Sequence, residues 1–445
     1  MKSALSAVTI ALITTINVLF ALTIHRDSLT NGLVILICED QRLPMVDISF
    51  NCRSGAVCEP EGKAGVASLC ADMLLRGTRN LSADSLANIL DFIGAQYFSG
   101  ADFDRSYLYL RILPKDLTTG FDILTEVIRQ PSFPEDEFTR AREQLLFSLR
   151  RSYDYPSFVV SAEFDRILFK GHRYALPLRG DTSTIPEISR EDLITFHKNH
   201  FVPNNCFIVV VGAVNPTDVY SIIKEKFADW QPAPINLPPP PDFNLPEKTR
   251  VKLIPRPDMN QTYVYFGHPG IAASAEDLIP TRLMSYILGG PPLSSRMGLA
   301  VREYGGLAYD VRCWFDRRIL TGAFRATVQT AKPHEAIEKM FTEIRKIYQS
   351  GVKPKELLAA QNYFTGSFPL SYSSNRGKVD RIAELEIYRF GTDWLEIFPK
   401  NVRSTTLEQV NESARKRLFP DRYIMVIMGN VAQEQLPLPD VEWLE

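Results

Sequence analysis

Apolar positions along the chain alternate between two periods. Short alternating or continuous β-branched runs at Thr23–Leu29, Leu33–Cys38, Met45–Cys52, Gln96–Ser99, Ser106–Ile112 and Cys206–Val211 predict strands, with Asn31-Gly32 as the turn between the first two. Three- and four-residue spacing predicts helices over Gly65–Thr78, Ser82–Ile93, Asp116–Ile128, Glu135–Ser152, Ser157–Phe169, Ser189–His200 and Pro216–Phe227. Pro134 stands where the Glu135 helix starts, a position at which its missing N–H is harmless.

Seven prolines then fall between Pro232 and Pro246, among them Pro238–Pro241. Proline at this density suits neither helix interior nor sheet ladder, so residues 232–248 read as a stiff linker. Beyond it the plan returns. Strands are expected at Thr262–His268, Leu307–Phe315 and Gly322–Val328. Helices are expected at Leu278–Leu288, Ser294–Tyr304, Pro333–Ser350, Pro354–Ser367 and Arg376–Phe390. The stretch from Phe201 to Val214 aligns with that from Leu418 to Val431, and Pro203 to Gly212 spans the same nine residues as Pro420 to Gly429. Two homologous α+β domains, residues 23–231 and 249–445, explain this repeat, each a mainly antiparallel sheet packed with helices.

Composition adds little to that picture. A hydrophobic content of 45% and a charged content of 23% are those of a chain with a full core. A net charge of −2 without a Lys/Arg run gives no case for nucleic acid or an anionic membrane. The N-terminus departs from the average. Lys2 precedes the uncharged run Ala7–Leu22, with Leu19-Phe20-Ala21 as a weak cleavage site. Residues 1–22 therefore read as a bacterial-type export signal, placing the mature chain in the periplasm. The alternative is an uncleaved anchor that leaves the chain facing the periplasm, the one case in which a membrane enters. The six cysteines include no C-x-x-C pair. Cys52 and Cys58 flank a turn and could be joined, but buried free thiols are the default.

The stretch Gly65–Thr78 carries the candidate chemistry. Its outline resembles the catalytic helix of the pitrilysin/insulinase-like zinc peptidases, in which His-x-x-Glu-His precedes Met, an apolar residue and Gly-Thr. Met73, Leu74, Leu75, Gly77 and Thr78 keep that frame. Histidines at i and i+4 would share one face and one zinc, and the glutamate between them would act as base. The resemblance puts Ser68 and Asp72 at the histidine positions and Ala71 at the glutamate position. It places the third ligand within Gln144–Pro156, at Phe147, Ser148 or Leu149, none of which is acidic. Three protein ligands are the usual minimum for catalytic zinc. No metal or other cofactor is therefore expected in this chain. His197 and His200, near the end of one helix, read as helix-terminal imidazoles rather than ligands. With no G-x-S-x-G elbow and no P-loop, serine-hydrolase and nucleotide chemistry have no anchor.

The same resemblance implies two domains facing each other across a cleft. It also identifies Arg302 and Tyr309, seven residues apart around Gly305-Gly306, as the pair that grips substrate carbonyls. A guanidinium fork and a phenol both stabilise a developing oxyanion. Arg296 reads as structural. The bland alternative is a surface ion pair for Arg302 and sheet packing for Tyr309. A sheet edge at Gln96, Tyr97, Phe98 and Ser99 is expected to hold an extended peptide by strand addition. Two functions follow from the resemblance. In one, the chain is the metal-free subunit of a heterodimeric metallopeptidase whose partner subunit carries the zinc. In the other, it is an inactive structural or peptide-binding paralogue.

Overall fold

The computed structural model describes residues 22–240 and 245–445, so the expected leader over residues 1–22 falls almost wholly outside the described residues. Two six-stranded sheets repeat one plan. The first runs β1 (His25–Ser28), β2 (Val34–Glu39), β6 (Cys206–Gly212), β3 (Val46–Cys52), β5 (Ser106–Ile112), β4 (Gln96–Ala101) in spatial order. The second runs β12 (Glu442–Leu444), β7 (Arg250–Pro255), β11 (Ile424–Gly429), β8 (Thr262–Pro269), β10 (Ala323–Thr330), β9 (Ala308–Phe315). In each, β2 with β6 or β7 with β11 forms a parallel pair and the three strands beyond it are antiparallel; the outer strand on the other side differs, β1 antiparallel to β2 but β12 parallel to β7. The Pro203 and Pro420 segments lead into the equivalent strands β6 and β11, as the repeat requires. Residues 232–240 and 245–248, between the two units, carry neither helix nor strand.

Helices follow the apolar period closely. In chain order they are α1 (Val66–Met73), α2 (Ala83–Phe92), α3 (Leu117–Arg129), α4 (Glu135–Ser152), α5 (Pro156–Leu168), α6 (Arg190–His200) and α7 (Pro216–Phe227). The second half supplies α8 (Leu278–Gly289), α9 (Pro333–Ser350), α10 (Pro354–Ser367), α11 (Asn375–Tyr388), α12 (Trp394–Ser404) and α13 (Leu407–Arg417). The expected helix at Ser294–Tyr304 is instead a π-helix over Gly298–Glu303. There Tyr304 N–H reaches back to Leu299 O at 2.9 Å, the wider i to i+5 closure.

Both faces of each sheet are covered, and the covering is exchanged between the halves. On the first sheet, Ile35, Ile37, Ile48, Phe50, Ile208 and Val210 face their own half's helices. The alternate residues Val34, Leu36, Cys38, Phe207, Val209 and Val211 pack against Val379, Ile382, Ala383 and Ile387 of α11, from the other half. Reciprocally, Val160, Phe164 and Leu168 of α5 cover Tyr265, Ile424, Val426 and Met428 on the second sheet. Strands buried on both faces explain why β6 and β11 read as continuous apolar runs, while β3, equally buried, alternates Val46, Ile48 and Phe50 with Asp47, Ser49 and Asn51.

Ion pairs stitch the exchanged helices down. Lys378 on α11 pairs with buried Asp40, which Arg42 also holds at 2.7 Å. Glu386 on α11 takes Arg26 at 3.0 Å and is also paired with Arg53. Arg325 on β10 is nearly buried and joins Asp165 on α5 at 2.7 Å to Asp316 at 2.6 Å.

Asp104 crosses the same seam. Its Oδ2 accepts from Ile319 N–H at 3.1 Å and from Tyr388 hydroxyl at 3.4 Å, while Oδ1 has no hydrogen-bond partner. Burial, helped by the nearby charge of Asp102, pushes its carboxyl up to about 6, against the attraction of Arg318. A raised folded-state pKa costs stability once the carboxyl must ionise, so the penalty grows as pH rises from about 4 through 6 and is absent below the unfolded value. Asp104→Asn removes this term. Between pH 5 and pH 8 the wild type is expected to lose on the order of 1 kcal/mol relative to Asp104→Asn in urea unfolding. Parallel pH profiles for the two proteins would refute the assignment.

Candidate functional site: a metal-helix remnant and an arginine–tyrosine pair

Helix α1 begins at Gly65, whose φ of 106° suits glycine and which offers no capping side chain. The cap comes from Glu59, six residues earlier. Its fully buried carboxylate accepts from Gly65 N–H at 3.0 Å and Ala67 N–H at 2.9 Å, where the helix dipole favours negative charge. Arg173 pairs with Glu59 and donates to the carbonyls of Leu176, Pro177 and Leu178 at 2.9, 3.0 and 3.0 Å. The turn that carries Arg179 is thereby tied to the start of α1. Thr184 Oγ1 adds a bond to Ala64 O at 2.9 Å. Gly180 completes the close approach: its φ is 77°, and a Cβ there would stand 2.2 Å from Ala64 O.

Val66, Leu69, Cys70 and Met73 send one face of α1 into the first core. The helix stops at Met73, short of the expected Thr78. Thr78 is drawn off instead, bonding Leu81 N–H at 3.0 Å and Glu126 at 2.8 Å through its hydroxyl. Ala71, at the base position, is buried. Ser68 and Asp72 open onto a cavity of about 290 Å³, which Ser99 and Gly100 of β4, Gln144 of α4 and Arg179 also line. Asp72 is paired with Arg76 at 2.9 Å, and Arg76 also reaches Glu137 and Gln144 at 3.4 Å. Ser68 Oγ is buried without a hydrogen-bond partner. Ser148 Oγ accepts from Arg179 at 3.3 Å, and Phe147 projects outward, 63% exposed.

Zinc does not fit this donor set. One carboxylate is present, and a guanidinium already holds it. Two hydroxyls and an alanine stand where the remaining donors would be needed, and two arginines line the same space. Among the described residues no group of three or more His, Cys, Asp or Glu is gathered to hold a metal.

Strand β4 is the outer strand of its sheet. Tyr97 turns toward the first core, and Ser99 lines the cavity. On the opposite face Phe98 stacks on Tyr109 at 4.8 Å beneath the Arg376 guanidinium at 4.4 Å. Gln96 is exposed.

Arg302 and Tyr309 do not line this cavity. Arg302 lies on the π-helix and Tyr309 near the start of β9, the outer strand of the second sheet. The Arg302 guanidinium carbon sits 4.6 Å from the Tyr309 ring centroid. Tyr309 is 83% exposed. Among the described residues no carboxylate lies within ion-pair distance of Arg302, and neighbouring Asp310 is taken by Arg312 at 2.7 Å. The surface ion pair considered for Arg302 is therefore not formed, and Tyr309 lends its face to the guanidinium while leaving its hydroxyl outward. Arg296 is structural, held by Glu356 at 2.8 and 2.7 Å and by Gly351 O at 2.9 Å.

The remaining candidates resolve as packing. His197 Nε2 lies 2.8 Å from Ile128 O, and its ring stacks on Phe201. His200 packs on Phe196 at 4.5 Å. Burial lowers both imidazoles to about 4, so they sit neutral in the core rather than charged against the helix dipole. All six cysteines are free, so Cys52 and Cys58 are not joined. Sequence reasoning missed Glu59, Arg173 and Arg179. Arg173 and Arg179 lie on a segment about 100 residues beyond α1, and Glu59 caps the helix from outside the usual N-cap position, so no standard local spacing announces them.

Similarity to known proteins agrees with this geometry. Residues 34–182 match the family model described as insulinase (peptidase family M16), and residues 187–364 match the model described as the peptidase M16 inactive domain. An uncharacterized zinc protease of Bacillus subtilis is 23% identical over 412 residues, spanning 91% of this chain and 98% of that protein. One from Rickettsia bellii is 23% identical over 360 residues, spanning 80% and 85%. A Pseudomonas fluorescens structure described as a peptidase M16 inactive domain superimposes with a TM-score of 0.84 at 26% identity, covering 92% of this chain and 98% of that one. A Helicobacter pylori protease shares the fold at a TM-score of 0.84 and 18% identity, covering 92% and 100%. The chain is thus a two-domain member of the M16 (insulinase) peptidase family.

Proposed function

We propose that the chain is the metal-free subunit of a heterodimeric M16 metallopeptidase. In this reading the partner subunit holds the zinc, and this chain brings Arg302 and Tyr309 to the substrate carbonyls. The observation that carries it is the pair itself. A guanidinium without an acid rests on an exposed phenol ring, so donors from both side chains stay unspent and point to a ligand outside the chain. Desolvated by a substrate and a partner, such donors would stabilise a tetrahedral oxyanion. The relatives carry zinc-protease names, whereas the donor set around Ser68, Ala71, Asp72 and Ser148 does not suit zinc, so hydrolysis would need metal from elsewhere. A peptide would lie along the free edge of β4 at Gln96–Ser99. Residues 1–22 would deliver the chain to the periplasm, and the partner would work there with it.

The test begins with co-purification from the native host. The isolated chain is expected to carry no stoichiometric zinc and to hydrolyse no peptide, while the mixed complex does both. Arg302→Ala or Tyr309→Phe should lower the mixed complex's kcat roughly 100-fold, the usual cost of removing one oxyanion donor. Unchanged turnover in both variants would defeat the reading. It would favour the second reading, a peptide-binding paralogue, which draws on the intact cavity and free edge beside β4.

A further inference from the structure

The cavity beside α1 has a lining opposite in character to a metal site. In place of ligands for a cation it presents cationic and neutral donors. Arg179 enters it with a single hydrogen bond, to Ser148 Oγ at 3.3 Å, and among the described residues it has no ion-pair partner. Arg76, also on the wall, neutralises Asp72 at 2.9 Å, so the one lining carboxylate does not repel an anion unopposed. Arg76 is spent on Asp72 and, at 3.4 Å, on Glu137 outside the lining, so Arg179 is the lining's one cation without a carboxylate partner among the described residues. Ser68 lines the same space, and its Oγ is buried there without a hydrogen-bond partner. A buried hydroxyl without a partner costs stability unless something arrives to bond it.

The placement of Arg179 is itself built. Three carbonyls of the preceding turn are fixed by Arg173, which Glu59 holds. Gly180 and Thr184 bind the following residues to Ala64 at the head of α1. An arginine with one weak partner on a turn braced this firmly is arranged for a ligand. Its fork suits a carboxylate, two N–H donors to two oxygens. The cavity also opens beside Ser99 and Gly100, at the outer strand where an extended peptide would pair.

We infer that this cavity is a carboxylate-binding site, in which Arg179, with Ser68, receives the carboxylate of a peptide laid along β4. The inference rests on the peptide-binding part of the proposed function and extends it. The site would hold peptide ends or acidic side chains at the positions where the resemblance to zinc peptidases would put metal ligands. Two sources share this chemistry, the C-terminal α-carboxylate and an Asp or Glu side chain.

The probe is a pool of randomised octapeptides offered to the full mature chain, once as free acids and once as C-terminal amides, with bound peptides counted by mass spectrometry. Free acids are expected to be retained about tenfold or more over amides, the range of one charge-assisted bidentate contact. If the side chain is the source, the amide pool is instead enriched about tenfold in one Asp or Glu position. Arg179→Gln should abolish either preference. Arg179 is exposed and its side chain makes one hydrogen bond, to Ser148, so the variant should keep the wild-type Tm. Equal retention of acids and amides with no acidic enrichment would overturn the site, as would a preference that survives in Arg179→Gln or retention of no peptide at all. None of these outcomes bears on Arg302 and Tyr309, which the mixed-complex assay judges separately.

Discussion

Glu59→Ala is expected to cost about 3–5 kcal/mol in urea unfolding. The substitution strips the buried Arg173 of its counter-charge and leaves the N–H groups of Gly65 and Ala67 without acceptors. Most of the loss comes from the stranded guanidinium. Glu59→Ala combined with Arg173→Met should therefore be less destabilised than the two single changes added together. Glu59→Gln keeps an acceptor for the helix start but not the charge, and should fall between wild type and Glu59→Ala. A loss below about 1 kcal/mol for Glu59→Ala would show that α1 does not depend on this remote cap. Because Arg173 also fixes the carbonyls before Arg179, the same variant should weaken any carboxylate preference of the cavity.

Arg325→Met is the second large effect. Arg325 is shared by Asp165 of the first half and Asp316 of the second, and it donates to Tyr265 hydroxyl at 3.2 Å. Methionine keeps much of the volume, leaves Asp165 without its ion-pair partner and leaves Asp316 with Arg318 at 3.6 Å and the Trp314 indole at 3.0 Å, for a loss of about 3–5 kcal/mol at pH 7.5. Burial already pushes Asp165 upward, with Arg325 as its main opposing influence. Without that cation the folded-state pKa of Asp165 rises further above its unfolded value. The deficit of the variant should therefore shrink as pH falls toward 5, where protonation relieves it. Thermal unfolding at the two pH values reads this directly. A deficit that is constant with pH would mean that lost packing against Phe164, and not stranded charge, sets the cost.

Much of this was legible in the residues. The helices at Glu135–Ser152, Pro216–Phe227, Pro333–Ser350 and Pro354–Ser367 appear with the expected bounds, because their apolar stripes and terminal prolines act locally. The repeat was visible for the same reason: β6 and β11 are buried on both faces and tolerate little but β-branched and aliphatic side chains. Strand β7 was missed because its alternation, Arg250-Val-Lys-Leu, is brief and abuts the prolines. Helices α12 and α13 were missed because Pro399 breaks the pattern of one and charge dominates the other. The π-helix at Arg302 could not be read at all, since one extra residue per turn leaves no mark on so short a stretch. At the metal-helix remnant, sequence alone located Ser68, Asp72 and Ser148. It could not show that Arg179, from a turn more than 100 residues further on, lines the same cavity as Ser68, Asp72 and Arg76, because only the folded chain brings it there.

The exchanged helices carry a consequence for how the chain comes into being. Any process that delivers the polypeptide N-terminus first presents Val34, Leu36, Phe207, Val209 and Val211 long before their cover exists. The last of these strands is complete at Gly212, but α11 does not start until Asn375. At ordinary synthesis rates that interval is roughly 10–30 s. During it the first half is an unfinished molecule with one greasy sheet face open to water. Its earliest hazard is therefore aggregation of a nascent intermediate, and a truncation anywhere before α11 would make that hazard permanent.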